Sequence, residues 1–263
     1  MGGTRRFPNH GLGIGGKLLG NGSTMTTAIP NYREIWERYW SILPSEPQTA
    51  IWDSPPQYAA ALDVPRFKAA FGQARPTLDF GCGNGAQTRY LAEHFARVIG
   101  TDVSSAAIES ARRADNPSNV EYRVIDGIDR TRVEALSAEL GDVNVYMRGV
   151  LHQMRPEHRG QLAVAIEKLL GRTGMLYLVE LSEDAHAYLQ SLADETGAPP
   201  EKLALVLQSG ITPGLMRTSD TQELFPNRDI QTGPTVLNTV HTLPSGDRAQ
   251  VPAFYALIGP RIV

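Results

Sequence analysis

From Pro76 to Leu181 the chain alternates short apolar segments with amphipathic ones, and this alternation narrows the possible folds more than any other feature. TLDF at 77–80, RVIGTD at 97–102, VEYRVID at 120–126, DVNVYM at 142–147 and MLYLVEL at 175–181 have the length and branching of buried strands. Between them lie helical patterns: one running through Ala96 with Leu91 and Phe95 on one face, SAAIESARR, TRVEALSAEL, and PEHRGQLAVAIEKLL, which Gly171 and Gly174 stop. Strands that alternate with helices pair in parallel and bury both faces. Residues 185–225 read as further helix, with SDTQ at Ser219–Gln222 as a capping box. TVLNTVHTL and AQVPAFYALIG, joined by PSGD, read as a closing antiparallel hairpin.

The bounds on function are simple. A chain of 263 residues, 41% hydrophobic and 20% charged, supports one full core. A net charge of −3 without a basic run argues against a nucleic-acid partner, and no apolar run is long enough to cross a membrane. The single cysteine, Cys82, excludes an internal disulfide framework and suits a reducing, cytoplasmic setting. No metal-ligand set is expected.

Residues 1–24 contain eight glycines, three basic residues and no acidic one. Glycine interrupts every apolar patch, so a secretory leader is rejected, and the segment is expected to be a flexible tail or an over-extended start. Residues 25–73 are expected to form an N-terminal helical cap. Tyr32, Trp36, Tyr39 and Trp40 fall at helical spacing, and prolines 44, 47, 55 and 56 break the rest of the cap into short pieces. Trp36, Trp40 and Trp52 are all the tryptophans in the chain; they are expected either to pack as core or to wall a ligand site.

The loop LDFGCGNG at 78–85 crowds glycines between the first strand and its helix, where backbone N–H groups meet a ligand. Gly81, Gly83 and Ala86 formally satisfy a dinucleotide fingerprint. Asp79 argues against that reading, because a carboxylate there would repel a diphosphate and tolerate a cationic amino-acid group. The loop, with VIGTDVS, VIDGID and DVNVYMRGVLHQM in order, resembles the class I S-adenosylmethionine-dependent methyltransferases over roughly residues 75–182. The resemblance implies a doubly wound, mostly parallel seven-stranded α/β sheet over 74–263, with the hairpin as its antiparallel edge; the helical insertion 185–225, rich in Leu, is expected to cap the substrate opposite the N-terminal aromatic segment. The resemblance also implies S-adenosylmethionine as cofactor, with Gly81 and Gly83 near its methionine, Asp102 on the ribose, Val103 on the adenine, and Asp126, before Gly127, on the adenine amino group.

Simpler roles stand beside these: Asp79 holding the loop, Asp102 capping the next helix, and Asp126 forming a turn. Cys82 is read as a small loop residue. His152, just past the fourth strand, is the candidate general base or else a pocket-lining histidine. The segment MRGVLHQMRPEHR is similar to that of small-molecule O-methyltransferases with a His-Asp pair, although Gln153 replaces the Asp. His158 is read as solvated, and Arg148 as a substrate contact. The motifs of nucleic-acid amino-methyltransferases and of arginine methyltransferases are missing, which favours a small apolar or aromatic acceptor whose methylated atom stays open. The alternatives are a nicotinamide-dependent oxidoreductase and a non-catalytic S-adenosylmethionine-binding protein.

Overall fold

The computed structural model describes residues 31–44, 46, 48–196, 201–211, 214–243 and 246–261. The expected tail at 1–24, the first residues of the cap, and the first half of the PSGD turn lie outside them. The sheet has seven strands in the order β3-β2-β1-β4-β5-β7-β6. β1 (Thr77–Phe80), β2 (Val98–Asp102), β3 (Val120–Val124), β4 (Asn144–Arg148) and β5 (Leu176–Leu181) run parallel, as the alternation requires. β7 (Arg248–Pro260) lies antiparallel to both β5 and β6 (Arg228–Thr242).

Alternation along the strands builds a core on each face. Val145 and Met147 of β4, with Leu176 and Leu178 of β5, pack under Leu162, Ile166 and Leu169 of α6 (Pro156–Leu170). Tyr146, Tyr177 and Val179 point the other way, onto Phe67 and Phe71 of α2 (Ala60–Phe71). Pairing β1 with both β2 and β4 reverses the strand order at the end of β1. Ligands of open α/β sheets bind at such a crevice, at the carboxyl ends of the strands.

α1 (Tyr32–Ile42) starts at Asn31, whose side chain accepts from Glu34 N. After it, Pro55 and Pro56 confine the chain to a 3₁₀ turn, so the cap is broken where the prolines predict. α3 (Ala86–Leu91) is shorter than expected: Glu93 N bonds Tyr90 O and His94 N bonds Leu91 O, tightening the helix end into 3₁₀-type turns. α4 (Ser105–Arg113) and α5 (Arg130–Leu140) follow β2 and β3.

The insertion comprises α7 (Ala185–Thr196), α8 (Glu201–Gln208) and α9 (Thr218–Leu224). The capping box expected at Ser219 is displaced, because the N-cap falls two residues earlier, at Arg217, and Asp220 Oδ2 accepts from Arg217 N at 3.0 Å. β6 starts seven residues before the expected strand. Pro234 is tolerated within it because β6 is the sheet edge.

Candidate active site

Three glycines with left-handed backbone shape the loop after β1: Gly81 at φ +80°, Gly83 at +54° and Gly85 at +74°. The amides of Gly81 and Cys82 both donate to Thr101 O, at 2.7 and 2.9 Å, which fastens the loop to the end of β2. Asp102 secures the next turn, its Oδ2 accepting from Gly83 N and its Oδ1 from Ser104 N, each at 3.0 Å. Ser104, not Asp102, caps α4 by accepting from Ala107 N. The simple capping role for Asp102 is therefore replaced by a loop-anchoring one.

Asp79 is 3% exposed and accepts a hydrogen bond from the Thr88 hydroxyl at 2.6 Å. Burial raises its pKa to about 7; the Thr88 bond opposes the rise and the Asp102 charge adds to it. Burial likewise raises Asp102 to about 6, against the pull of the Ser104, Gly83 and Val103 amides. Burial, with both aspartates nearby, holds the Cys82 thiol well above its ordinary range, as suits a packing residue rather than a nucleophile. Asp126 accepts from Ile128 N at 3.1 Å and also lines the cavity, so it forms the turn and faces the site at once. A Cβ on Gly127 would come within 2.7 Å of both Leu162 and Phe80, which fixes the backbone against the sheet at that point.

These residues line one face of a cavity of about 230 Å³. The cap forms another. A Cβ on Gly83 would lie 2.8 Å from the Trp40 ring, so α1 rests directly on the glycine loop. Glu37 of the same helix accepts from the Ser104 and Ser105 hydroxyls at 2.8 Å each, and from Ala106 N at 3.3 Å. Trp36 and Trp52 meet edge to face with centroids 5.5 Å apart, and all three tryptophans line the cavity. They also pack among Tyr39, Ile51 and Val206, so they belong to a small apolar cluster while bordering the cavity.

Arg148 also borders the cavity, but its charge is already matched. Its guanidinium reaches Asp63 Oδ2 at 2.7 Å and Val236 O at 3.2 Å, while the Tyr146 and Tyr177 hydroxyls donate to Asp63 at 2.9 and 3.2 Å. His158 departs from expectation: it is 5% exposed, with Nδ1 2.8 Å from the Tyr32 hydroxyl, because α1 folds back over the start of α6.

His152 lines the cavity and is 3% exposed. Its Nδ1 lies 2.6 Å from Oε2 of Glu180, a fully buried residue at the carboxyl end of β5. Glu180 also accepts from the Val150, Leu151 and His152 amides at 3.1, 2.8 and 3.0 Å. The carboxylate that Gln153 fails to supply thus comes from the neighbouring strand. Its one sequence signal is a lone acid within LYLVEL. Gln153 instead places its amide nitrogen 2.9 Å from His152 Nε2.

A family model described as a methyltransferase domain matches residues 77–174. The solved structure of an S-adenosylmethionine-dependent methyltransferase from Anabaena variabilis is 36% identical, covering 91% of this chain and 99% of that one with a TM-score of 0.85. The chain belongs to the class I S-adenosylmethionine-dependent methyltransferases. Its enzyme class and cofactor follow from that membership, and the oxidoreductase reading falls.

The fold is shared more widely. The N-methyltransferase NodS from Bradyrhizobium japonicum, solved with S-adenosylhomocysteine, is 14% identical to the methyltransferase over 86% of its length and 98% of NodS, with a TM-score of 0.58. An S-adenosylmethionine-dependent Diels-Alderase from Talaromyces variabilis is 30% identical over 112 residues, or 42% of the methyltransferase and 37% of that relative. The residues lining the cavity fit the cofactor: a buried carboxylate beside the glycine loop, two further acids, at the end of β2 and just past β3, and Phe80, Val103 and Ile128 as apolar wall. Among the described residues no helix is long and apolar enough to cross a membrane.

Proposed function

We propose that the methyltransferase acts on a small apolar or aromatic metabolite carrying a hydroxyl, with His152 taking that hydroxyl's proton. Asp79, Gly81 and Gly83 would hold the methionine part of S-adenosylmethionine, Asp102 the ribose, and Val103, Asp126 and Gly127 the adenine. The cofactor supplies an electrophilic methyl on a sulfonium. The chain's own residues then have to exclude water, orient the acceptor and accept a proton. Trp36, Trp40 and Trp52 serve the first two tasks, and Arg148, neutralised by Asp63, presents a polar edge rather than a free charge.

The observation that carries the reading is the buried His152–Glu180 pair at the cavity wall. With Nδ1–H directed to Glu180, the ring presents its lone pair at Nε2, the orientation a base requires. Gln153 holds that nitrogen at 2.9 Å and must yield it to the acceptor hydroxyl. A net charge of −3 and a mostly apolar cavity support a metabolite rather than nucleic acid, and the single cysteine supports a cytoplasmic setting.

His152→Ala is expected to lower turnover by roughly 10²–10⁴ and leave cofactor affinity within a few-fold, the range for losing a general base. Glu180→Gln should lower turnover in the same direction. Methyl transfer from radiolabelled S-adenosylmethionine to a panel of hydroxylated aromatics would measure both. An effect of His152→Ala confined to KM would mean that the histidine only lines the pocket.

A further inference from the structure

Asp53 has no part in the chemistry above, yet it is only 8% exposed and it lines the cavity. Its Oδ2 accepts from Gln48 N at 2.5 Å, and among the described residues no group bonds its Oδ1. The residues around it are held firmly. The Ser54 hydroxyl donates to Asn238 O at 2.5 Å, Gln87 Nε2 donates to Ser54 O at 2.8 Å, and Val240 N donates to Ile51 O at 2.9 Å. A carboxylate in so fixed a frame keeps one oxygen ready for an incoming donor.

The charges around the cavity set what that donor is. Among the described residues that line it, Asp53, Asp79, Asp102 and Asp126 are acidic, and Arg148 is the one guanidinium, already paired with Asp63. Asp79, Asp102 and Asp126 belong to the cofactor end, by the glycine loop and the ends of β2 and β3. Asp53 sits instead beside Trp52, which meets Trp36 edge to face and Tyr39 at 5.3 Å. Three other polar side chains that line the cavity are engaged. The Gln87 amide bonds at both ends, Asn238 Nδ2 donates to Tyr58 O at 2.8 Å, and Thr239 Oγ1 bonds within the hairpin. An anionic acceptor would find no free cation among these residues, whereas an ammonium would find a carboxylate and indole surfaces.

We infer that the methyltransferase recognises its acceptor through a positively charged amino group bound by Asp53 beside Trp36 and Trp52. This rests on the small-molecule reading above and narrows it to amine-bearing aromatic or apolar compounds. An ammonium could also come from the cofactor's own α-amino group, and the test separates the two sources.

The test uses the full protein saturated with S-adenosylhomocysteine, titrated calorimetrically with pairs of equal shape and opposite charge: tryptamine and indole-3-propionate, phenethylamine and hydrocinnamate, octylamine and octanoate. At least one amine should bind about tenfold or more tightly than its carboxylate partner, and salt should weaken it. Asp53→Asn retains an oxygen for Gln48 N, so a melting curve near that of the wild type is expected. The same substitution should abolish the preference for amines while cofactor affinity stays within about twofold. Equal or tighter binding of the carboxylates, no binding by any amine, or a preference that survives Asp53→Asn would each overturn the inference. Loss of cofactor affinity with amine preference intact would also overturn it, by assigning Asp53 to the cofactor. None of these readouts needs methyl transfer, so failure to find a hydroxyl substrate would leave the result distinct.

Discussion

Asp79→Asn separates what a buried carboxylate costs the fold from what, on the proposed reading, it gives to cofactor binding. Asp79 is 3% exposed and has the Thr88 hydroxyl as its side-chain partner, so ionising it means charging a group with little solvation. Its pKa accordingly rises from 3.8 to about 7. The sign follows directly. A carboxyl that titrates higher in the folded than in the unfolded chain costs nothing below the unfolded value, costs progressively more between the two, and imposes its full penalty above the folded value. A displacement of about 3 pH units corresponds to ~4 kcal/mol as an upper bound, and coupling to Asp102 reduces what one substitution recovers.

Asparagine keeps the volume and an oxygen for Thr88 to donate to, and removes the charge. The ligand-free variant should therefore be more stable than the wild type by about 2–4 kcal/mol near pH 8, with the gain fading as pH falls from about 7 to about 4. Affinity for S-adenosylmethionine should move the other way, by about 1.5–3 kcal/mol or roughly 10- to 150-fold, as expected for a lost charge-assisted contact. Urea unfolding across that pH range and calorimetry with the cofactor read the two effects. A variant that is less stable at alkaline pH, or whose gain does not vary with pH, would refute burial as the cause of the raised pKa.

Asp102→Ala should weaken cofactor binding by about 1.5–3 kcal/mol or more, since it removes a carboxylate and also frees the Gly83 and Ser104 amides; unchanged affinity in calorimetry would leave Asp102 as a loop anchor alone. Because Asp102 titrates at about 6, wild-type affinity should decline as pH falls through that value, and the variant should lose that part of the decline. Asp63→Asn should cost about 3–5 kcal/mol in urea unfolding, because it strands the Arg148 charge between strands and cap; a loss below about 1 kcal/mol would show that the pair is solvated.

The sheet could be read from the sequence because each strand–helix unit carries its own periodicity: α4 and α6 fall on the expected residues, and β1 coincides with TLDF. The departures lie where tertiary context outweighs local pattern. Pro234 and Gly233 look like strand breakers in RDIQTGP, yet an edge strand leaves the proline's missing N–H without consequence. The Tyr255 ring occupies the space beside Gly233 where a Cβ would stand. His158 looks solvated in sequence because a helical pattern cannot show that α1 returns from 126 residues away to bring Tyr32 to it.

The glycine-loop end of the cavity was legible for a related reason. Its groups sit at strand ends, and strand ends are marked by motifs in order. The opposite end, where the proposed acceptor would lie, is assembled from α1, the 48–53 turn, β5 and the edge hairpin, with Glu180 and His152 28 residues apart and Ser54 and Asn238 184 apart. No spacing rule joins such residues. What the sequence does carry is the anomaly of each acid taken alone: Asp63 on an apolar helix face, Glu180 in an apolar strand, Asp53 after a tryptophan. A buried carboxylate needs partners, and two of these three have several, Asp63 in Arg148 and the tyrosines, Glu180 in His152 and three amides. Among the described residues Asp53 has a single amide for two oxygens. That difference sets Asp53 apart from Asp63 and Glu180, and it is the reason the proposed amine contact is placed there.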